Sequence, residues 1–337
     1  MDNLTHTLAA LAMSQAGLNR KTRFATLTLI VGANLPDIDL VGALGGGATY
    51  LKYHRGITHS ILGAAILATL LGALVYFLGR KAPPAKKPGP PVDALWLLAI
   101  SWIALASHVL MDFTNAYGIR PFLPFSGRWY AWDIMPIVDL LLWAFLILGL
   151  SLPSLFRLIS EEVGARKTRS RWGPIFALGS MLALWGVRDL AHRRVLGFLD
   201  DHTYGQENPL RLGAFPSAIN PFAWTGVVET ESAFHILDAS ALDSDVDAEH
   251  TTVYHKPEPS PVLDAAGKTR TAEIFLDFAR FPWPNVEETD NGFHVTIQDL
   301  RFARVLGKPR PFMVEIELDK NLRVLSESFN FFGKARP

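Results

Sequence analysis

Residues 61–79 read ILGAAILATLLGALVYFLG, without one charged side chain, and YHRGITHS, residues 53–60, stands directly before them. A bilayer core about 30 Å thick takes roughly 20 mainly apolar residues in a helix. The stretch 57–78 meets that length and carries only His59 and Ser60 as notable polar residues near its start. A membrane span is therefore expected here, with two histidines and an arginine at its lip.

The same criterion finds further spans on both sides. Residues 94–111 are apolar apart from His108, and residues 134–155 carry Asp139 near their start. Residues 25–48 are interrupted by Pro36, Asp37 and Asp39; residues 174–187 are short but apolar; residues 3–18 read as amphipathic or partly inserted. The N-terminus has its acid, Asp2, before the apolar part and its cations, Arg20, Lys21 and Arg23, after it. That order is the reverse of a cleavable signal peptide, so the segment is expected to be retained.

The 337 residues hold 32 Lys plus Arg against 32 Asp plus Glu, so no basic field invites nucleic acid. Mean hydropathy is +0.19, high for a soluble chain. Cysteine is absent, which excludes disulfides, thiolate nucleophiles and cysteine-held metals. The basic loops are 20–23, 80–87 (RKAPPAKK) and 157–171 (ending ARKTRSR), each separated from the next by two expected spans. Cationic loops stay cytoplasmic. Connections 45–56 and 113–133 then face outward, as do residues 192–337, although Arg188, Arg193 and Arg194 compete at the last crossing.

From about residue 195 the long apolar runs stop. Alternating segments, TGVVETESAFHIL (225–237), GFHVTIQDLRFA (292–303) and FMVEIELDKNLRVLSESFNF (312–331), predict strands, the last a hairpin around Asp319-Lys320-Asn321. Residues 271–280 predict a helix packed on them. The expected architecture is a multi-span α-helical membrane domain, residues 1–191, followed by a small α+β extramembrane domain, residues 192–337. The histidines of the latter (His192, His202, His235, His250, His255, His294) show no ligand spacing. The segment FPSAINPFAWTGVVE, 215–229, reads as a structural turn, with a lid over the site as the other option.

The ionisable residues at the span edges are His6, Asp37, Asp39, His54, Arg55, His59, His108, Asp112, Asp133 and Asp139. With the basic loops inside, all of them fall at the outer end of their segments. His108 and Asp112, four apart, share a helix face. Pro36 breaks the helical ladder at NLPDID, where both carboxylates can turn to one centre. Gly56 permits a sharp turn that His54 and His59 flank. Each residue alone has an ordinary explanation: a hydrogen-bonded histidine, a snorkelling Arg55, a capping or paired Asp139. Together they are expensive, because a charge at the centre of a membrane helix costs about 2.5–3.5 kcal/mol on insertion scales. A shared divalent cation removes that cost, and imidazoles with carboxylates suit zinc, or manganese or iron.

The order LTH, NLPDID, HRGITHS, SHVLMD resembles the LexA-regulated, inner-membrane-associated metal-dependent hydrolases, the YdjM-like family, over residues 1–160. The resemblance implies a multi-pass protein of the bacterial inner membrane. It also implies Asp37, Asp39, His54, His59, His108 and Asp112 as metal ligands, joined by His6. Residues 195–337 resemble an appendage of long members. Seven ligands exceed one tetrahedral zinc, which suggests two ions and phosphoester cleavage. Arg55 is then expected to grip phosphate, and Asp133 to act as general base or to support a ligand histidine. The expected substrate is a membrane lipid headgroup or a lipid-linked phosphate. Two rival readings stand beside it. In one, a structural metal staples helix ends and the C-terminal domain binds a partner or senses envelope stress. In the other, the charges line an ion path, against which the purely apolar inner halves of 57–78 and 94–111 speak.

Overall fold

The computed structural model describes residues 1–84, 88–162, 171–303 and 312–330. Parts of two basic loops, 85–87 and 163–170, and Phe331 of the expected hairpin lie outside the described residues. The chain forms two compact units. Met1–Asp39, Arg55–Leu190 and Ala218–Pro221 make the first; Leu40–His54, Ala191–Ser217 and Phe222–Pro337 make the second.

The helices in chain order are α1 (Asn3–Ala16), α2 (Ala25–Gly32), α3 (Gly47–Tyr53), α4 (Ile61–Lys81), α5 (Ala94–Phe113), α6 (Leu140–Glu162) and α7 (Trp172–Asp200). Side-chain caps explain several starts: Asp2 accepts from the Thr5 amide, Ser60 from Gly63 and Asp93 from Trp96. At Pro36, which has no amide proton to donate, α2 has already given way to a 3-10 helix, Leu35–Gly45.

Among the described residues, four helical segments are long and apolar enough to cross a membrane: Ala25–Gly45, Ile61–Lys81, Ala94–Phe113 and Trp172–Asp200. Their packing follows membrane logic. Ile66, Leu70, Leu74 and Phe77 of α4 point outward, while Ala64, Ala68 and Gly72 face in. A Cβ on Gly72 would lie 3.0 Å from the Leu98 Cα, and one on Gly32 2.7 Å from the Ala104 Cβ. Small residues let these backbones approach closely where lipid offers no hydrophobic drive to associate.

The span expected at 134–155 differs. The Ile134 and Met135 amides both donate to the Thr114 carbonyl at 2.9 Å, which holds this stretch outside any helix. The helix starts only at Leu140, and its apolar part, Leu140–Pro153, is shorter than the other four. Asp139 accepts from the Leu142 amide at 2.7 Å and pairs with Arg188 at 2.5 Å, both side chains fully buried. Arg188, read from sequence as a cation competing at the last crossing, is thus an internal partner of α6.

The second unit carries two four-stranded antiparallel sheets. The first has the order β1 (Arg211–Pro216), β2 (Ala223–Glu229), β3 (Ala233–Ser240), β4 (Thr252–His255). Two helices, α8 (Pro261–Gly267) and α9 (Arg270–Phe278), precede β5 (Pro282–Thr289), β6 (Gly292–Asp299), β7 (Met313–Asp319) and β8 (Val324–Asn330) of the second. The hairpin expected at 319–321 joins β7 to β8, and Asp319 Oδ1 accepts the Asn321 and Arg323 amides at 2.8 Å. Segment 225–237 supplies β2 and β3, so 215–229 is strand and turn. The C-terminal turns of α7 give Val195 and Leu199 to the core under β2 and β3, with Trp224, Val228 and Leu237. Unforeseen from sequence, α3 packs on α9 and β8.

Candidate metal centre

Four side chains of the first unit converge: Asp37 from the 3-10 helix after α2, His59 from the turn before α4, and His108 and Asp112 from α5. The His59 Nε2 lies 3.0 Å from His108 Nε2, 3.5 Å from Asp37 Oδ1 and 3.3 Å from Asp112 Oδ2. The His108 Nε2 is 3.7 Å from Asp37 Oδ1 and 3.6 Å from Asp112 Oδ2. Metal–ligand bonds of about 2.0–2.1 Å at tetrahedral angles set ligands ~3.3 Å apart. The five separations bracket that edge, so the four residues could hold one metal ion between them.

The outward atom of each residue is engaged by protein. His108 Nδ1 donates to the Ala33 carbonyl at 2.7 Å, which leaves the Nε2 lone pair for the centre. His59 Nδ1 lies 3.2 Å from Asp39 Oδ2 and 3.0 Å from Thr58 Oγ1, with the same consequence. Asp37 Oδ2 accepts from Asn3 Nδ2 at 2.9 Å. Asp112 Oδ1 takes Arg55 Nη2 at 3.1 Å, His6 Nε2 at 3.3 Å and the Met1 amine, while its buried Oδ2 accepts no hydrogen bond. Outer partners that fix ligand orientation in this way are what metal sites need. His59 and His108 are fully buried and Asp112 is 1% exposed, while the side chains of Asp37 and Asp39 keep 10% and 6% of their surface exposed.

The other expected residues have the following described neighbours. Asp39 braces the turn before α4, accepting the Arg55 amide at 2.8 Å and the Thr58 hydroxyl at 3.0 Å. Arg55, in the left-handed region at φ 53°, aims its fork at Asp112, with Nε 3.0 Å from Oδ2, and Nη1 donates to Asn115 Oδ1 at 2.8 Å. Its described neighbours thus include a carboxylate of the four-residue cluster. His6 stacks on His108 with ring centroids 3.9 Å apart. His54 caps α3 in the second unit, its ring 4.5 Å from that of Tyr50. Asp133 is buried at a left-handed φ of 63°, one residue before the backbone bonds to Thr114. Sequence reading missed Asn3, Thr58, Asn115 and the Ala33 carbonyl as supports. Thr58 and Asn115 lie inside or beside the quoted motifs, whereas nothing marks a backbone carbonyl.

Residues 1–195 match the model of the YdjM inner membrane protein family, and residues 261–335 match the YfhP C-terminal alpha/beta plait domain. The chain is 30% identical over 150 residues to the uncharacterized protein YfhP of Bacillus subtilis (strain 168). That match covers 41% of this chain and 42% of the relative, well under two thirds of its length. No solved structure matches the chain.

Proposed function

Because the chain belongs to the YdjM inner membrane protein family, we propose that it is a membrane-embedded metal-dependent hydrolase acting on a phosphoester, a lipid headgroup or lipid-linked phosphate at the outer leaflet. One observation carries this reading: two imidazole nitrogens and two carboxylate oxygens, each oriented by an outer partner, meet at ligand spacing at the edge of the apolar spans. A divalent ion there, zinc by the donor set or else manganese or iron, would lower the pKa of bound water toward about 7 and polarise the scissile bond. Asn3 and Asp39 hold Asp37 and His59 in place; Arg55 and His6 hold Asp112. Asp133 is assigned the proton released as water oxygen bonds to phosphorus. The ester P–O bond would then break, with Asp133 returning that proton to the leaving alkoxide. The basic loops support a multi-pass inner-membrane protein whose residues 192–337 are extracytoplasmic.

A second reading is favoured by the closure of the shell. Four donors with His59 and His108 fully buried resemble a structural site, which keeps no open position. The metal would then staple helix ends, leaving the C-terminal unit to bind a partner or sense envelope stress. Detergent-purified protein distinguishes the two. Elemental analysis should find one or two equivalents of divalent metal, nearly all lost in Asp37→Asn and His59→Ala. Headgroup or phosphate release from a panel of phospholipids and lipid-linked phosphates should depend on that metal. Full metal content without turnover of any member of the panel supports the structural reading, and normal metal in His59→Ala removes both.

A further inference from the structure

The segment after α5 is a closed excursion. Ile119 and Tyr130 exchange both backbone hydrogen bonds at 2.9 Å, which seals residues 119–130 at the base. The Phe125 and Ser126 amides both bond the Phe122 carbonyl, at 2.9 and 3.0 Å, and make a tight tip. At this tip Phe125 is 87% exposed and Phe122 46%. Below the tip the side chains are paired rings and cations. The Arg120 guanidinium lies 4.6 Å from the Trp129 ring centre and that of Arg128 5.3 Å from Tyr130, while Phe122 meets Tyr130 edge-on at 5.4 Å.

Height in the membrane is set by one bond. The Ile61 amide, the first of the α4 span, donates to the Pro121 carbonyl at 2.9 Å. The excursion therefore lies level with the end of a span, where apolar chains give way to headgroups. Exposed phenylalanines at a loop tip are costly in water. Arginines over Trp and Tyr rings suit a layer that is apolar on one side and charged on the other.

We propose that residues 119–130 form an interfacial anchor: Phe122 and Phe125 enter the acyl region of one phospholipid leaflet, the exposed Arg128 lies at its phosphates, and the buried Arg120 braces the loop from within. The inference rests on the membrane reading of the spans and deepens the proposed function. The anchor begins seven residues after Asp112, and its Arg120 amide and Pro121 carbonyl bond Arg55 and Ile61 on either side of His59, so lipids held at it stand close to the candidate centre.

Absence of native cysteine permits single-cysteine labelling of the full chain. Ser126→Cys, at the exposed tip, and Leu70→Cys, 62% exposed on α4, are each labelled with bimane and reconstituted in phosphatidylglycerol–phosphatidylcholine vesicles. Lipids brominated in the upper acyl chain should quench the tip label roughly twofold, because interfacial segments sit about 5–10 Å deep. Phe122→Asp with Phe125→Asp should abolish that quenching while the Leu70 label remains quenched. A quenched Leu70 label with an unquenched Ser126 label overturns the anchor. Loss of quenching at both positions overturns the membrane-spanning reading beneath it.

Discussion

His59 and His108 face each other Nε2 to Nε2 across 3.0 Å, while both Nδ1 atoms are turned to oxygen acceptors. With both Nδ1 atoms engaged outward, the two Nε2 atoms are left facing the same point, where a divalent cation can sit between them. An ion held there is expected to stabilise the fold. Loading with ion at about 100 times Kd should add about 2.7 kcal/mol. A chelator should lower the thermal midpoint in detergent by the corresponding amount, and zinc should restore it. An unchanged midpoint after verified metal removal would count against ligation by both histidines.

Arg55 donates from Nη2 to Oδ1 of Asp112, and its Nε lies at ion-pair distance, 3.0 Å, from Oδ2 of the same carboxylate. Arg55→Met should therefore reduce metal affinity about 10–100-fold, the usual effect of losing an outer-shell partner. Arg55→Lys should recover only part of it, since an ammonium has no planar fork. Titration against a chromophoric chelator measures both. Wild-type affinity in Arg55→Met would return this arginine to the phosphate-gripping role read from sequence.

His6 reaches Asp112 Oδ1 rather than the converging oxygen, and its ring stacks on His108. His6→Phe keeps the stack and removes the donor, so affinity should fall at least tenfold with metal stoichiometry unchanged. A lost equivalent of metal in that variant would show His6 to be a ligand.

Much of the site was legible because its spacing is local. His108 and Asp112 fall on one face of a regular helix, and Pro36 marks the place where Asp37 can leave helical geometry. Which carboxylate joins His59, His108 and Asp112 and which one engages the turn before α4 was not legible. Asp37 and Asp39 are chemically alike in sequence, and the Thr58 hydroxyl and Arg55 amide that engage Asp39 come from a turn with Arg55 at positive φ. The start of α6 was misplaced because hydropathy counts Ile134 and Met135 as span, although their amides are committed to Thr114. The C-terminal strands were legible from alternation and their division into two sheets was not, since pairing order is a long-range choice. Arg188 counted as a competing cation at the last crossing because its partner, Asp139, lies 49 residues away.

That partner leads to a stability prediction. Arg188 and Asp139 are buried together at 2.5 Å between α7 and the start of α6. Removing one member strands a buried charge, a loss of about 3–5 kcal/mol. Arg188→Met should thus unfold at markedly lower temperature than wild type. The double variant with Asp139→Asn should regain much of the loss, because the Asn side chain still caps the Leu142 amide. Equal destabilisation of single and double variants would mean that the pair acts through packing alone.

In the second unit a pH dependence follows from Glu207. The Ser232 amide donates to its Oε2 at 3.0 Å, and further donors from Thr230, Ser232 and Glu231 hold the carboxyl down to about 2, against an ordinary 4.5. The folded state thus prefers the ionised form. The stabilisation is fully present above about pH 4.5 and is lost as the pH falls from there toward 2. Glu207→Gln removes the charge at every pH. Wild type should therefore exceed the variant in denaturant midpoint at pH 6, and the gap should close steadily between pH 4.5 and 2.5. Tryptophan fluorescence of Trp224 and Trp283, on β2 and β5, reports the unfolding of this unit. A gap that stays constant across that range would show that the Ser232 amide gains nothing from the charge.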